Sequence, residues 1–260
     1  MDTYDEPALE RHTFDGLSRV PDLVHGVFKR HGGVSPPPYA TLNVAWNNGD
    51  NPEFVRENLS RIERNMGLEC LAAGRQVHGD RIQVVDEETV RHAGPNVPVV
   101  ITPPGDALVT RLRGVGLLIK IADCQAVFLV DPVLKVLANI HCGWRGSVRE
   151  LPFKAVLFLR DRFGCHPENL LAAVSPSLGP CCAEFRNYEA ELPASFAPYR
   201  VGPFHFDFWA VTRRQLESAG VRPEHIETSH ICTVCDSRDY FSYRGEKVTG
   251  RNAAVIGWRI

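Results

Sequence analysis

The feature that most constrains the fold is a series of short apolar runs in the middle of the chain. They are rich in Val, Ile and Leu, are separated by Gly, Pro and Asp, and lie at 82–85, 97–101, 107–110, 115–122, 126–130 and 136–141. Runs of this length and composition are typical of β-strands. Several are apolar throughout instead of alternating with polar residues, so we expect sheets that are covered on both faces.

Longer segments with helical periodicity interrupt the strands. The clearest helix begins after Asn51 with Pro52 at its first position and ends at Gly67, and its apolar positions are Val55, Leu59, Ile62 and Met66. Further helices are predicted from near 147 to 163, ending at Gly164, and from Asp207 to Gly220. Strands are also predicted at 170–174, 226–231 and 253–258.

This order of elements predicts one mixed α/β (α+β) domain, with mixed β-sheets covered by helices. We assign residues 24–260 to this domain. Residues 1–23 carry few structural signals, and we expect them to form an N-terminal leader or edge segment.

Charge and hydropathy exclude several classes of protein. Lys and Arg number 29 against 31 Asp and Glu, which argues against nucleic-acid binding, since such proteins usually carry a basic surplus. No apolar run reaches the roughly 18 residues that a membrane helix needs. The first ten residues are acidic and polar, unlike a signal peptide, so we expect a cytoplasmic protein whose eight cysteines are free thiols.

Three short segments place a His or Cys at the end of a predicted strand: QVHG at 76–79, ADC at 122–124 and HCGWRG at 141–146. A tight turn at Asp131-Pro132 would bring Cys124 opposite His141. Together with His78 they offer two imidazoles and a thiolate, which suit Zn²⁺, and three protein ligands leave a fourth position for water.

The spacing alone leaves simpler interpretations open for these segments. A His at a strand end is often a polar rim residue, and a buried Cys often acts as a small apolar side chain. Cys142 follows His141 directly, so we expect it to point to the opposite face, into the core. We expect Trp144 to serve in packing.

Many more short motifs, in one order along the chain, resemble the YfiH family of purine nucleoside phosphorylases. This family is also called the laccase-domain family and was formerly called the multicopper polyphenol oxidase family. Besides the three segments above, the resemblance covers HG at 25–26, RHGGVS at 30–35, LNV at 42–44, GD at 49–50, Asn58, DALVT at 106–110, GPCC at 179–182, CT at 232–233, FSYR at 241–244 and GR at 250–251.

The resemblance implies a YfiH-like fold, similar to that of cytotoxic necrotizing factor, and zinc bound by His78, Cys124 and His141. Four positions depart from the family pattern: Ala126 stands for a proline, Cys142 for an alanine, Leu59 for an arginine and Ala183 for an aromatic residue. None of these changes removes a metal ligand. The missing arginine and aromatic residue bear on the shape of the pocket.

Three more residues are candidates for the site, each with a structural alternative. Arg145, between two glycines, is a candidate for binding phosphate, because a guanidinium matches an oxyanion in a bidentate way, or it pairs with a carboxylate. Asp123 is a candidate proton shuttle or a residue that orients a metal ligand, or strand alternation turns it away from the site. Asn43 is a candidate for binding a nucleoside, or it is an ordinary turn asparagine.

A second group of cysteines has two interpretations. Cys232 and Cys235 form a C-x-x-C motif that, with Cys181 and Cys182, could make a second, closed zinc site. A lone C-x-x-C is a weak signal, however, and buried thiols near the pocket are the alternative we favour from sequence.

The resemblance predicts a zinc-dependent purine nucleoside phosphorylase acting on adenosine, inosine, guanosine and methylthioadenosine with inorganic phosphate, and also an adenosine deaminase. A copper-dependent polyphenol oxidase is disfavoured, because such enzymes typically use His-x-His pairs and none occurs among the ten histidines. Two other hypotheses are a metal-free hydrolase or deamidase with Cys124 as nucleophile and His141 as base, and a non-catalytic nucleoside sensor.

Overall fold

The computed structural model describes residues 8–93 and 99–260. Within these ranges the strands are β1 (Arg11–His12), β2 (Leu23–Phe28), β3 (Cys70–Gly74), β4 (Ile82–Val85), β5 (Val99–Thr102), β6 (Ala107–Thr110), β7 (Val115–Ile121), β8 (Gln125–Asp131), β9 (Val136–Cys142), β10 (Leu171–Val174), β11 (Ile226–Thr228) and β12 (Asn252–Trp258). The α-helices are α1 (Asp15–Ser18), α2 (Pro52–Met66), α3 (Glu87–Ala93), α4 (Trp144–Val148), α5 (Leu151–Phe163), α6 (Tyr188–Glu191), α7 (Phe208–Ser218) and α8 (Tyr243–Glu246). Short 3-10 helices lie at Pro167–Asn169, Ala194–Tyr199 and Pro223–His225.

The strands of the described residues form two six-stranded mixed sheets. The first sheet has the order β1-β2-β12-β7-β3-β5, and the second has the order β11-β10-β8-β9-β6-β4. Strand β3 runs parallel to β5 and β7, and β4 runs parallel to β6. The hairpin of β8 and β9 is antiparallel, as the turn at Asp131 predicts. The predicted fold class is confirmed.

The two sheets pack face to face, and helices cover their outer faces. Side chains of both sheets, such as Ile119, Ala254 and Phe128, share the inner core. Helix α2 packs its apolar face on the first sheet, while α5 and α7 cover the second. Because the central strands β8, β9 and β12 are buried on both faces, they are largely apolar, as expected from the sequence. No helix of the described residues is long and apolar enough to cross a membrane.

Two of the three predicted helices are confirmed. In α2 the Asn51 side chain accepts the Glu53 N–H, and Gly67 ends the helix with a φ of 64°. Asp207 caps α7 by accepting the Ala210 N–H, although this helix ends at Ser218, before Gly220.

The predicted helix from 147 to 163 is wrong in its continuity. The chain forms α4 and α5 with Glu150 between them at a φ of 58°. The physical reason is Pro152, which has no N–H to donate to the Val148 carbonyl and therefore cannot continue a helix from α4. Helix α5 ends before Gly164, as predicted.

Most predicted strands are confirmed to within one or two residues. The exceptions are β11, which ends at Thr228 and not at 231, and the predicted strand at 97–101, whose first two residues lie outside the described ranges. Strand β3 was not predicted, because its sequence CLAAG is short and rich in small residues with low β propensity.

The N-terminal segment forms the edge of the first sheet. Strand β1 pairs with β2, and the side chains of Phe14 and Leu17 are buried in the inner core. The described part of this segment is therefore built into the fold, and β2, which the sequence analysis did not predict, lies beside it.

Three connections cross from the first sheet to the second at the same end of the molecule. They link β3 to β4, β5 to β6 and β7 to β8. Because β3, β5 and β7 are mutually parallel, their carboxyl ends meet at one edge. Strand β9 runs antiparallel to β8 and so ends at that edge too. This edge collects the residues described in the next subsection.

A buried histidine beside the N-terminal segment makes stability depend on pH. His25 is 4% exposed, and its Nε2 accepts the Phe14 N–H at 2.8 Å. Burial, aided by the charges of Arg11 and His12, lowers its pKa to about 4. Below about pH 6.5 His25 binds a proton in the unfolded chain but stays neutral in the folded chain. The free energy of unfolding therefore falls as the pH falls from 6.5 towards 4.

We therefore expect the free energy of unfolding to fall by about 2 kcal/mol between pH 7 and pH 5 through His25 alone. The His25→Gln variant, which cannot titrate, should lack this part of the loss, as measured by urea unfolding at both pH values. His166→Gln, at an exposed histidine, is the control and should behave like the wild type. Equal losses in wild type and His25→Gln would contradict the assignment.

Candidate active site

The three crossovers and the end of β9 bring His78, Cys124 and His141 together. Each offers one ligand atom, and these atoms all lie within 4.8 Å of one another. The two imidazole rings are nearly perpendicular, with centroids 4.9 Å apart. In the hairpin His141 pairs with Ala126, which places it beside Cys124 as the turn predicts. The three side chains form a possible metal site.

Gly143 allows the three side chains to approach so closely. A Cβ atom at this position would lie 2.8 Å from the Cys124 sulfur and 3.4 Å from Cδ2 of His78. Any larger residue would push the cysteine or the histidine away. Contact with the site therefore explains why the first glycine of the HCGWRG segment, Gly143, is a glycine.

The buried carboxylate of Asp106 organises the site. It is fully buried and accepts the backbone N–H groups of His78 at 2.9 Å, Gly79 at 2.8 Å and Val77 at 3.2 Å. It also accepts a hydrogen bond from Nδ1 of His141 at 2.8 Å. The sequence analysis did not single out this residue. Its signal was a lone acidic residue at the start of an otherwise apolar strand.

These contacts set the protonation of the site. With Nδ1 of His141 bound to Asp106, Nε2 is the atom available on the side of Cys124. Burial alone would raise the pKa of the Cys124 thiol, but His141 and His78 lower it below its usual range. Burial would lower the pKa of His141, but Cys124 and Asp106 raise it. The surroundings therefore favour a Cys124 thiolate, the form that binds metals.

The three side chains line a cavity of about 660 Å³. This volume lies in the range of sites that bind small molecules. The cavity combines aromatic, basic and amide side chains, and its walls are completed by Ala45, Trp46, Asn47, Asn48, Gly74, Arg75, Gln76, Ile101, Lys120, Ala122, Tyr243 and Arg251. A smaller cavity of about 170 Å³ adjoins it and shares Cys124 and Tyr243.

Asp123, a candidate from sequence, lines the smaller cavity with a φ of 87°. Its carboxylate accepts hydrogen bonds from the hydroxyls of Thr233 at 2.8 Å and Ser242 at 2.6 Å, and from the Arg244 N–H at 2.5 Å. The carboxylate is thus held by three donors, and the residue is fixed directly before Cys124. Its catalytic role stays a prediction.

Arg145 and Asn43 are near the site but do not line the larger cavity. Arg145 is exposed, and its guanidinium lies over the Trp144 ring at 4.2 Å. Asn43 is fully buried, and its Oδ1 accepts the N–H of Arg251, whose side chain does reach the cavity. The basic residues that line the cavity are Arg75, Lys120 and Arg251, which the sequence analysis did not select.

Four further residues near the site bear on expectations from the sequence. Cys142 is 2% exposed and belongs to the core on the outer face of the second sheet, as its position after His141 predicts. Trp144 packs against Phe185. Leu59 and Ala183, which depart from the family pattern, are buried in the core and line neither of these two cavities, so they do not shape the cavity walls as the sequence analysis expects.

Comparison with known proteins identifies the family of the chain. A family model described as multi-copper polyphenol oxidoreductase laccase matches residues 24–259. The chain belongs to this family. The resemblance drawn from the short motifs is thereby confirmed.

Curated relatives match nearly the whole chain. The purine nucleoside phosphorylase YlmD of Geobacillus stearothermophilus is 32% identical over 248 residues, which cover 91% of this chain and 90% of that protein. A purine nucleoside phosphorylase of Deinococcus radiodurans is 34% identical over 254 residues, covering 93% and 92%.

Solved structures share the fold. The crystal structure of YlmD from Geobacillus stearothermophilus superposes with a TM-score of 0.83 at 30% identity, over 93% of both chains. The Bacillus licheniformis hypothetical protein YfiH gives a TM-score of 0.85 at 24% identity, over 98% of both chains. The YfiH-like fold predicted from sequence is confirmed.

The central position of Asp106 generates a testable expectation. Asp106→Asn replaces one acceptor oxygen by a donor facing buried N–H groups, so we expect the free energy of unfolding to fall by about 1–3 kcal/mol. Asp86→Asn is the matched control, because Asp86 is exposed and accepts the Thr89 N–H at the start of α3, a role that Asn fills equally well. Urea unfolding of both variants checks the difference, and an Asp106→Asn variant as stable as the control would contradict it.

Proposed function

We propose that the protein is a zinc-dependent purine nucleoside phosphorylase with adenosine deaminase activity. Its nucleosides would be adenosine, inosine, guanosine and methylthioadenosine. The observation that carries the proposal is the cluster of His78, Cys124 and His141 at the wall of a cavity that also offers aromatic and basic side chains. The names of the curated relatives support the phosphorylase activity.

The donor set supports zinc. Two imidazole nitrogens and one thiolate match the preference of Zn²⁺ for N and S ligands, and three protein ligands are the pattern of catalytic sites. The hydrogen bond from His141 to Asp106 is the carboxylate contact that zinc-binding histidines usually make. A zinc ion bound there would supply a Lewis acid at its open fourth position.

Aromatic side chains of the cavity would bind the purine. Trp46 and Tyr243 line the cavity, and Tyr243 also borders the smaller one. Stacking of a base on an aromatic ring contributes about 1–3 kcal/mol and needs no particular substituents on the base. Recognition by stacking is consistent with a protein that accepts several purine nucleosides.

Basic side chains of the same cavity would bind phosphate. Arg251 is half-buried, and its Nη1 donates to the carbonyls of Thr249 and Gly250, which fixes the side chain. Lys120 donates to the Gly74 carbonyl at 3.2 Å and lies 5.9 Å from the Trp46 ring. A phosphate held by these cations would lie next to a base stacked on Trp46.

The proposed reaction is a phosphorolysis. A phosphate oxygen attacks the anomeric carbon of the ribose, the bond from that carbon to the purine nitrogen breaks, and the base leaves with the bonding electrons. Arg251 and Lys120 hold the phosphate in position for attack, which removes the entropic cost of bringing two substrates together. Asp123, fixed by three donors, orients Cys124.

We place the protein in the cytoplasm, in keeping with its free cysteines.

Replacement of the three ligands tests the zinc assignment. We expect His78→Ala, Cys124→Ala and His141→Ala each to lose the bound zinc and to lower turnover by at least about a hundredfold. The fold should survive, because the site lies at the edge of the sheets. Metal analysis, circular dichroism and chromatography of products from a nucleoside panel, with and without phosphate, measure these three quantities.

The same panel separates the proposed activities. Release of base only with phosphate indicates phosphorolysis, and formation of inosine from adenosine indicates deamination. His92→Ala, at an exposed histidine on α3, is the control and should change neither zinc content nor turnover. A ligand variant that kept stoichiometric zinc and full turnover would show that its residue is not a ligand.

A metal-free cysteine hydrolase is the second candidate, favoured by the lowered pKa of Cys124 beside His141. The two candidates differ in the reactivity of this thiol. A zinc-bound thiolate should react slowly with iodoacetamide until the metal is chelated, whereas a free nucleophile reacts at once. Rapid labelling of Cys124 in the untreated protein, found by peptide mapping, would favour the hydrolase.

The phosphate site can be tested by comparing two arginines. Because Arg251 lines the cavity and Arg145 is exposed outside it, we expect Arg251→Gln to raise the KM for phosphate about tenfold, the effect of losing one charge-assisted hydrogen bond. Arg145→Ala should change this KM by less than about twofold. Phosphate dependence of base release measures both, and the opposite ranking would support the assignment made from sequence.

A further inference from the structure

Four cysteines come together outside both cavities. Cys181 and Cys182 lie in the segment after β10, and Cys232 and Cys235 lie in the turn after β11. The sulfur of Cys235 is 3.5 Å from that of Cys181 and 3.6 Å from that of Cys182, and all four sulfurs lie within 4.8 Å of one another. We call this group the four-cysteine cluster.

The cluster does not consist of packed core thiols. Cys181 and Cys235 are exposed and Cys182 is half-buried, so the expectation of buried thiols is wrong for these three; only Cys232 is buried. None of the four lines either cavity described above. Cys232 and Cys182 contact the outer core of the second sheet, but apolar packing does not explain why the exposed Cys181 and Cys235 lie against them.

The distances match a metal site and not a disulfide. Four thiolates around Zn²⁺ at about 2.3 Å stand at tetrahedral corners, which places the sulfurs about 3.8 Å apart. The distances of 3.5 and 3.6 Å, with the remaining pairs within 4.8 Å, are close to that value. A disulfide would instead hold two sulfurs at about 2.05 Å.

The surrounding backbone is arranged for a thiolate. The sulfur of Cys232 accepts the backbone N–H of Gly179 at 3.3 Å. A backbone donor directed at a sulfur suits a negatively charged acceptor. The guanidinium of Arg244 donates to the Cys182 carbonyl at 3.2 Å, which puts a positive charge beside the cluster. Zinc with four thiolates carries two negative charges, which this cation would partly offset.

We propose that Cys181, Cys182, Cys232 and Cys235 bind a second zinc ion in a closed four-thiolate site. With four protein ligands no position is open to substrate, so this zinc is structural. It ties the segment after β10 to the turn after β11. It shares no ligand with the cavity, so its metal content can be tested separately from the nucleoside chemistry proposed above.

The zinc would steady the residues that hold the active-site crossover. Thr233 lies inside the C-x-x-C turn, and its hydroxyl donates to the Asp123 carboxylate. Its backbone N–H donates to the Ser177 carbonyl, and the N–H of Leu178 donates to the Asp123 carbonyl at 2.8 Å. Both halves of the cluster are therefore linked to the residue that precedes Cys124.

Metal content of protein purified without chelators tests the proposal. We expect two zinc ions per wild-type chain. The double variant Cys232→Ser/Cys235→Ser and the single variant Cys124→Ser should each contain one. The combined triple variant should contain none. Cys70→Ala/Cys165→Ala removes two buried cysteines outside both groups and is the matched control, expected to keep two.

These variants also separate the two metal sites. If the site in the cavity held no zinc, the wild type would contain one ion, which Cys124→Ser would keep and Cys232→Ser/Cys235→Ser would lose. Retention of the full wild-type zinc content by Cys232→Ser/Cys235→Ser would overturn the four-thiolate site while leaving the cavity site standing.

A measurement on the wild type guards against variants that fail to fold. In the zinc-loaded protein the four thiols should react slowly with iodoacetamide, and their rate of reaction should rise after the metal is chelated. Cobalt added to the chelated protein should give thiolate-to-metal absorption. Rapid labelling of all four before chelation would overturn the proposal. A disulfide among them in non-reduced peptide maps of freshly purified protein would do the same.

Discussion

The carboxylate of Asp106 is the group on which the site depends. A buried charge is tolerated only when it is paired and fully hydrogen-bonded, and this one accepts three backbone N–H groups and the His141 imidazole. By one set of contacts it fixes the loop that carries His78, selects the tautomer of His141 and balances a positive charge there. Through His141 it also favours the thiolate of Cys124.

The topology explains why such a carboxylate has these partners. Parallel strands of the first sheet deliver three crossovers to one edge, and β9 returns to it. Crossing between sheets demands sharp backbone turns, and two of the residues that make them, His78 and Asp123, have positive φ values of 55° and 87°. A non-glycine residue in such a conformation costs about 1–3 kcal/mol, so it persists only where neighbours hold it. Asp106 holds the first, and Thr233 with Ser242 holds the second.

What the sequence could predict follows from the range of the interactions. Helix α2 is encoded locally by Asn51, Pro52 and Gly67. The β8–β9 hairpin needs only its turn, so the sequence could predict that Cys124 lies beside His141. The roles of Asp106 and Arg251 depend on contacts between segments 27 or more residues apart, which no local pattern reports. The break before α5 does have a local signal, which is Pro152. The sequence analysis still predicts one continuous helix, because apolar residues continue on both sides of this proline.

The two groups of candidate metal ligands lie on either side of the same short segment and differ in geometry. His78, Cys124 and His141 leave room for a further ligand at the cavity, so their geometry serves chemistry. The four-cysteine cluster encloses its centre and, through Thr233, reaches the carboxylate of Asp123, one residue before a ligand of the first group. Loosening the cluster would release Thr233, which donates to the carboxylate of Asp123, a residue whose φ is positive. A structural zinc would therefore keep Cys124 in the position that the open site requires.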